Sequence, residues 1–518
     1  MINFADIFYG FINWIIKSIL YDPGNPFFFT GPFFILFFVL FFLVSIPLGR
    51  TPRSRTLIIL LFSLWFYYKC SGAFMVVILA AGTMNYLIAL TLDRLQGNRQ
   101  RAFLLLTGIL VNLTLLVLFK YTPSFHRMAA LFENMEWNIA AFVFPAGLSF
   151  YTFANLSYII DVKKRVLLPE RSLTRYLTYI TFFPIVQMGP IERAKNFLPQ
   201  LSQRFRLSKE DVTEGFSLIL SGAFKKMVIG DYVNLHLVSQ IFSTPERYTG
   251  MENLAAILGY SLVIYCDFSG YTDMARGIAR WMGFNIQLNF NFPYRSESIG
   301  EFWRRWHISL SNWLRDYIFL PLAFRLSRLM KQEYLFSHRY LRTDIVIFNI
   351  AALVTFTICG LWHGIRWNFL LWGLMHGLAL AIQRSWSYAT RTLKKGKGPV
   401  FKRVNRITGI MLTFSFVTMA WVFFRMSTPE ESFAVFSQIT GNFYARGFPT
   451  FIVAYYPVLL MIMLGYTLHF TPEIVHLKIR EKLILLEWPW KAIIAITMIS
   501  IIVYFKTLGS SNPIYIQF

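Results

Sequence analysis

Long apolar runs separated by short polar segments fill most of this chain of 518 residues. A hydrocarbon core about 30 Å thick is crossed by a helix of roughly 20 apolar residues. Runs near that length without Asp, Glu, Lys or Arg are residues 23–49, 70–92, 102–119, 137–160, 345–365, 367–383, 407–424 and 447–472. Shorter runs that could cross if tilted or extended are 56–68, 176–191, 253–266 and 492–505. The pattern predicts an all-α polytopic membrane protein with about ten to twelve transmembrane helices, plus in-plane or re-entrant ones.

Composition supports a membrane protein rather than a soluble enzyme. The chain is 56% hydrophobic and only 15% charged, with a mean hydropathy of +0.49. Ordinary soluble domains carry far more charge. Its three cysteines, Cys70, Cys266 and Cys359, lie far apart in apolar surroundings. That spacing fits neither a disulfide framework nor a metal cluster, so we expect no resident metal ion.

Basic residues lie in the short segments that follow the apolar runs. The formal net charge is +24, and the basic clusters are 50–55, 93–101, 161–165, 325–342, 384–406 and 478–482. Short cytoplasmic loops accumulate Lys and Arg, so these positions indicate topology and argue against a nucleic-acid partner. Segments 121–136 and 427–445 are acidic or nearly neutral and are expected on the other side. This orientation requires residues 56–92 to form a helical hairpin that turns between Lys69 and Gly72.

Two histidines lie where the apolar pattern is interrupted or polar groups are unexpected. The stretch 360–369, GLWHGIRWNF, places His363 in a turn between two apolar runs, on or toward the outer side. From position alone, His363 is either a functional group or a turn residue at the interface, with Trp362 and Trp367 as anchors. His376 lies inside the following apolar run, where a hydrogen bond between packed helices is the expected role.

Residues 302–319 alternate charged and aromatic side chains too densely for a membrane span. At 100° per residue, one helical stripe holds Trp303, His307, Leu310, Leu314 and Tyr317, and another holds Arg305, Ser309, Asn312 and Asp316. The phasing predicts one in-plane amphipathic helix ended by Pro321. Its apolar stripe carries His307, for which position alone favours a core histidine bonded to a neighbouring carbonyl.

Other polar groups near membrane depth suggest structure more than chemistry. Asp267 and Asp273 could pair with Arg276, Arg280 or Arg304 in a structural network. The sequence contains no Gly-rich phosphate loop, H-E-x-x-H, Cys-x-x-Cys or Gly-x-Ser-x-Gly motif. Phosphoryl transfer, zinc hydrolysis and classical serine hydrolysis therefore lack their usual signatures.

A series of longer motifs stands in order along the chain. They are 144–153 (FPAGLSFYTF) with 156–161 (LSYIID), 182–193 (FFPIVQMGPIER), 265–273 (YCDFSGYTD), 302–311 (FWRRWHISLS) with 313–317 (WLRDY), 360–364 (GLWHG) and 513–518 (PIYIQF). In these motifs the chain resembles the membrane-bound O-acyltransferase family, of the bacterial alginate O-acetyltransferase type. Two departures are visible: 323–328 (AFRLSR) replaces a Gly-Gly-Asn-Arg-like loop, and Gln187 and Met188 stand where small residues are usual.

The resemblance implies a fold and two site residues. It implies one membrane domain over 1–518, with a motif-bearing core at about 100–385, C-terminal helices at about 407–518 and a central tunnel. The nearly invariant histidine of the family corresponds to His363, which would be the general base for acyl transfer. The second, more variable histidine corresponds to His307, which would bind or orient the donor carbonyl or the acceptor. Ser309 and Asn312 are its candidate polar neighbours, and burial should keep both imidazoles neutral.

The resemblance also implies substrates, partners and a location. The donor would be acetyl-CoA or another acyl thioester, and the membrane would be the bacterial inner membrane, crossed several times. The expected partners are membrane lipid and an SGNH-like extracytoplasmic acyltransferase or a polysaccharide assembly complex. The implied function is movement of an acetyl or other acyl group across the membrane for O-acylation of an exported polysaccharide such as alginate. D-alanyl or other acyl transfer to a cell-wall polymer such as teichoic acid is an alternative to this function. A transporter or channel that uses His363, Asp267 and Asp273 is another, although the chain shows no internal symmetry.

Overall fold

The computed structural model describes residues 19–22, 27, 31–129, 145–204, 206–330, 341–390 and 398–509. The C-terminal motif 513–518, Phe144 and parts of the predicted loops 121–136, 325–342 and 384–406 lie outside these ranges. Helices are the regular structure of the described residues. This confirms the predicted all-α class.

Helices of seven or more residues are numbered here in chain order. They are α1 Pro32–Leu48, α2 Pro52–Ser71, α3 Met75–Arg94, α4 Asn98–Ala129, α5 Leu148–Lys163, α6 Leu173–Thr181, α7 Lys209–Ala223, α8 Gly250–Trp281, α9 Ile299–Arg305, α10 Ile308–Leu314, α11 Leu320–Leu329, α12 Leu341–His363, α13 Trp367–Ala389, α14 Pro399–Arg425, α15 Pro429–Gly441, α16 Phe448–Phe470, α17 Glu473–Leu485 and α18 Trp488–Thr507. Short α and 3₁₀ turns join several of them. Three further segments, Phe224–Gly230, Asn234–Val238 and Arg315–Phe319, are π-helical.

Seven helical stretches within the described ranges are long and apolar enough to cross a membrane. They are Pro52–Arg94, Asn98–Tyr121, Gly250–Trp281, Thr343–His363, Pro399–Arg425, Ala445–Phe470 and Trp488–Thr507. The first is the hairpin that the charge pattern required, with α2 and α3 joined by a turn that begins at Gly72. Gly72 has φ +56°, a left-handed value that favours glycine. The protein is therefore a multi-pass membrane protein, while the total of ten to twelve crossings stays a prediction.

The chain divides into two compact units. One comprises Met1–Gly215 with Met274–Ile286, and the other comprises Phe216–Asp273 with Gln287–Phe518. The single membrane domain expected over 1–518 stays a prediction. Both candidate histidines belong to the second unit.

Aromatic packing and one amide pair organise the first unit. The ring of Phe183 lies 4.9 Å from that of Phe62 and 5.5 Å from that of Phe66, between centroids. On α3 and α4, the buried side chains of Asn85 and Asn112 exchange hydrogen bonds of 3.1 and 2.9 Å. Helices in lipid associate through close packing and such interhelical bonds. The pair therefore fixes the register of these two helices.

In the second unit, α12 and α13 form a hairpin whose backbones touch. A methyl group placed on Gly360 would lie 2.2 Å from the carbonyl oxygen of Phe369, and one on Gly373 would lie 2.4 Å from that of Phe356. Small residues allow helices in a membrane to approach this closely. The hairpin carries His363 at the end of its first helix, so its packing sets the position of that ring.

A buried ion cluster lies beside the first π-helical segment of the second unit. The Lys226 ammonium lies 2.6 Å from Asp231 and 2.7 Å from Asp267, and all three side chains are at most 3% exposed. The backbone N–H of Asp231 donates to the carbonyl of Lys226, five residues back. This spacing is the π-helical one, and it brings the two side chains of the i, i+5 pair together.

The structure pairs both aspartates with lysines that were not among the expected partners. Asp267 pairs with Lys226, and Asp273 pairs with Lys225. In the first unit, Arg280 instead forms ion pairs of 2.8 Å with Asp211 and 3.3 Å with Glu214. Both lysines precede α8 by more than 20 residues, and sequence spacing gave no reason to prefer them. The aspartates do form the structural network that was expected of them.

Candidate active site

His363 is the last residue of α12 and points inward from an exposed turn. It is 4% exposed, whereas Trp367 at the start of α13 is 71% exposed. Its ring meets those of Trp372 and Phe424 edge to face, with centroids 5.3 and 4.8 Å away. The imidazole is therefore buried among aromatic rings and does not lie on the open surface, as the interface-anchor alternative would have it.

Asn368 holds the turn that follows His363. Its side-chain nitrogen lies within hydrogen-bonding distance of three acceptors: the carbonyls of Met426 and Thr428, both at 2.9 Å, and the hydroxyl of Ser432 at 3.1 Å. These bonds join the start of α13 to the connection between α14 and α15. The sequence around Asn368 gave no signal for this role, because its partners lie about sixty residues away.

The single amphipathic helix predicted over residues 302–319 is wrong. Helix α9 ends at Arg305, His307 has left-handed backbone angles of φ 43° and ψ 55°, and α10 begins at Ile308. A π-helical segment follows, and Pro321 lies in the first turn of α11 instead of ending a helix. The helical backbone runs without a break from α10 through the π-helical segment into α11, so Pro321, which has no N–H to donate, is accommodated directly after the π-helical segment.

Backbone bonds from an upstream loop explain the break. The Asn291 N–H donates to the Arg305 carbonyl at 2.9 Å, and the Ile308 N–H donates to the Asn289 carbonyl at 2.9 Å. These bonds replace part of the helical ladder on both sides of His307. Hydrophobic periodicity carries no information about such bonds, so it predicted a continuous helix.

His307 is buried against the same loop. It is 1% exposed, and its Nδ1 lies 3.1 Å from the side-chain oxygen of Asn289. The ring of Phe268 meets it edge to face at 4.7 Å. Burial lowers the pKa of His307 to about 3, so the imidazole is neutral at physiological pH, as expected. The partner oxygen is the side-chain carbonyl of Asn289, which agrees with the neighbouring carbonyl that position alone favoured.

Asn289 also contacts the start of α10. Its Oδ1 accepts from the Ser309 N–H at 3.2 Å and from the Ser309 hydroxyl at 2.9 Å. Ser309, expected as a polar neighbour of His307, therefore shares an acceptor with it. The sequence gave no signal for Asn289, which lies eighteen residues before His307.

Tryptophan rings connect the two histidines. The ring of Trp372, which meets His363, lies 5.8 Å from that of Trp421. Trp421 lies 4.9 Å from Trp306, the neighbour of His307 in the chain. The two candidate residues thus belong to one aromatic cluster in the second unit. The tunnel expected from the resemblance stays a prediction.

His376 has the packing role that its position indicated. The indole N–H of Trp303 on α9 donates to its Nδ1 at 3.3 Å. Its ring also lies 4.8 Å from that of Trp372. His376 therefore links α9 to α13 beneath the site.

Comparison with known proteins identifies the family. Residues 162–338 match the model of the membrane-bound O-acyltransferase family. The peptidoglycan O-acetyltransferase of Helicobacter pylori is 29% identical over 80% of this chain and 80% of its own length. The probable alginate O-acetylase of Pseudomonas aeruginosa is 33% identical over 74% of this chain and 69% of its own length. The teichoic acid D-alanyltransferase of Bacillus subtilis is 30% identical over 54% of this chain and 68% of its own length.

The first two of these relatives match most of the chain. Their membership of a membrane-bound family agrees with the multi-pass helical structure. The chain belongs to the membrane-bound O-acyltransferase family and is an O-acyltransferase.

Proposed function

We propose that this protein takes an acetyl group from a cytoplasmic thioester donor and passes it across the membrane for O-acylation of a polysaccharide outside the cytoplasm. The donor in this proposal is acetyl-CoA. Two relatives that cover most of the chain are named for O-acetylation, of peptidoglycan and of alginate. Clusters of Lys and Arg in segments such as 50–55 and 384–406 would attract the phosphates of the donor on the cytoplasmic side. The membrane in this proposal is the bacterial inner membrane.

His363 is the proposed general base. The accepting hydroxyl oxygen attacks the thioester carbonyl while its proton passes to the His363 imidazole. The C–S bond then breaks, and the leaving thiolate takes up the proton. The observation that carries this assignment is a buried histidine ring at the end of an apolar span, inside the cluster that also includes the His307 segment. A positioned base of this kind contributes about 10²- to 10⁴-fold in rate.

His307 is proposed to bind a substrate group beside the base. Its neutral, buried ring is held by Asn289, which suits binding better than repeated protonation. The partner on the outer side would be an SGNH-like acyltransferase or a polysaccharide assembly complex, which receives the acetyl group.

The test of this proposal is the His363→Ala variant. Membrane insertion is checked first, and transfer of label from acetyl-CoA to the polysaccharide is then measured. We expect a loss of about a hundredfold or more. His236→Ala, which removes an exposed imidazole elsewhere, is the matched control and should keep wild-type transfer. Full acetylation by the His363→Ala variant would rule out the base assignment.

A second candidate function is D-alanyl transfer from a carrier protein to a cell-wall polymer. It is favoured by the match to the Bacillus subtilis teichoic acid D-alanyltransferase, although that match covers 54% of this chain. Purified protein incubated with labelled acetyl-CoA separates the two candidates. A carrier-dependent enzyme would leave the labelled donor unused, whereas an acetyltransferase would consume it.

A further inference from the structure

The orientation of the Asn289 side chain is fixed by a backbone group. The residue is 1% exposed, and its Oδ1 lies 3.2 Å from the backbone nitrogen of Ser309. A backbone N–H can only donate, so the amide atom that faces it must be the oxygen and not the nitrogen. The Ser309 hydroxyl, at 2.9 Å, donates to the same oxygen.

This orientation determines where His307 carries its proton. The amide oxygen lies 3.1 Å from Nδ1 of His307 and can only accept, so Nδ1 must be the protonated nitrogen. Burial lowers the pKa of His307 to about 3, so at neutral pH the ring has a single N–H. Nε2 therefore carries a lone pair.

The backbone keeps the imidazole at this acceptor. His307 has a φ of 43°, a left-handed value that residues with a side chain rarely adopt. The Ile308 N–H donates to the Asn289 carbonyl at 2.9 Å, so both the backbone and the side chain of Asn289 hold the segment. The backbone bond and the side-chain bond therefore hold the His307 ring and the Asn289 amide together.

We propose that Asn289 is a positioning residue that holds His307 in the Nδ1–H tautomer, so that Nε2 accepts a hydrogen bond from an O–H or N–H group of a substrate. A ring in this state cannot donate to the thioester carbonyl, which was one of the two roles open to His307. The proton of the attacking hydroxyl passes to His363, so the group bound at Nε2 is a different one. It is a neighbouring hydroxyl of the acceptor or an amide N–H of the acyl donor. The role toward the substrate rests on the proposed function, whereas the tautomer does not.

Several charged groups on the elements around His307 form ion pairs or hydrogen bonds with other residues. Within the second unit, the charged residues of these elements are Glu252, Asp267 and Asp273 on α8, Arg295 and Glu297 in the loop after Asn289, Glu301, Arg304 and Arg305 on α9, and Arg315 and Asp316 after α10. Both aspartates of α8 pair with lysines, Arg305 pairs with Glu301, and Arg315 pairs with Asp316. Arg295 donates to the backbone carbonyl of His469. The tautomer is assigned from the Asn289 amide oxygen, which lies 3.1 Å from Nδ1 of His307.

Nitrogen NMR tests the tautomer without any assay of activity. The wild-type protein, labelled with ¹⁵N-histidine and reconstituted in lipid bilayers, has eight histidines to distinguish. The signals of His307 are those absent from the His307→Gln variant. We expect a protonated Nδ1 and an unprotonated Nε2 at neutral pH. An Nε2–H ring or a doubly protonated ring would overturn the proposal, whether or not the protein acetylates anything.

Variants of the acceptor test the positioning role. Asn289→Ala removes the oxygen, and we expect loss of the Nδ1–H preference together with about a tenfold rise in KM for the substrate bound at Nε2. A rise for the polysaccharide acceptor identifies a hydroxyl, and a rise for the acyl-CoA donor identifies an amide. Asn442→Ala is the matched control, because it removes an exposed asparagine amide that bonds Gln438, outside the aromatic cluster of His307. It should keep both the tautomer and the KM, within about twofold.

Two outcomes would contradict the positioning role. If Asn289→Ala slows transfer while His307 keeps its Nδ1–H tautomer, Asn289 is merely structural. If the alanine variant does not fold, Asn289→Asp keeps an accepting oxygen, and an Nε2–H ring in that variant would contradict the proposal equally. Absence of acetyl transfer in the wild-type protein would instead remove the proposed function and leave the tautomer as measured.

Discussion

A methyl group on Gly360 tests how far the α12–α13 hairpin controls His363. It would lie 2.2 Å from the Phe369 carbonyl oxygen, whereas ordinary contact begins at 3.4 Å. Backbone atoms cannot rotate away as a side chain can, so Gly360→Ala must push the two helices about 1 Å apart. His363 lies less than one turn further along α12. A displacement of about 1 Å at a catalytic group costs about a hundredfold in rate, and overpacking of this kind costs about 1–3 kcal/mol of stability.

The assay measures transfer and folding on the same samples. Gly360→Ala is compared with wild type for membrane insertion, thermal unfolding in detergent and transfer of label from acetyl-CoA. Gly441→Ala, at the end of α15, is the control, since no described atom lies within 4 Å of its added methyl group. We expect the control to match wild type and Gly360→Ala to lose about a hundredfold in transfer. A Gly360→Ala protein that behaves like Gly441→Ala would refute the link between backbone contact and the position of His363.

Three further variants test other parts of the second unit. Lys226→Met removes the cation between Asp231 and Asp267 and should lower the free energy of unfolding by about 3–5 kcal/mol. Thermal unfolding measures this loss, and replacing both aspartates with Asn in the same variant should restore the stability. Asn368→Leu removes the hydrogen bonds to the connection after α14 and should lower the free energy of unfolding by about 1–3 kcal/mol. It should also slow acetyl transfer, because those bonds no longer hold the turn at the end of α12. Folding lowers the pKa of His307 from 6.5 to about 3, so the unfolded state binds an extra proton between these values and stability falls as pH drops through that window. His307→Gln should flatten this part of the curve of unfolding free energy against pH, and an unchanged curve would contradict the assignment.

Hydrophobic patterning predicted part of the architecture. Uncharged runs and basic loops predicted the helical class and the hairpin at Gly72, because both depend on local sequence and on the thickness of a bilayer. The motifs likewise led to His363 and His307, and the structure joins both through tryptophan rings. These features depend on short, local stretches of the sequence.

Features that depend on distant contacts could not be predicted. The break before His307 follows from backbone bonds to Asn289 and Asn291, which no periodicity contains. The lysine partners of the α8 aspartates lie on a preceding segment, so proximity in sequence favoured arginines instead. The state of the His307 ring needed atomic positions as well, because it follows from the direction of one amide.

The π-helical spacing of Phe224–Gly230 makes the buried ion pair of Lys226 depend on the length of this segment more than on most of its side chains. Lys226 pairs with Asp231 at a spacing of five residues. Deleting one residue between them would leave a spacing of four residues, at which an ordinary α-helix also places the two side chains on one face. Inserting one residue would leave a spacing of six, which turns the carboxylate away from the ammonium group. The ion pair should therefore survive a one-residue deletion and be lost on a one-residue insertion.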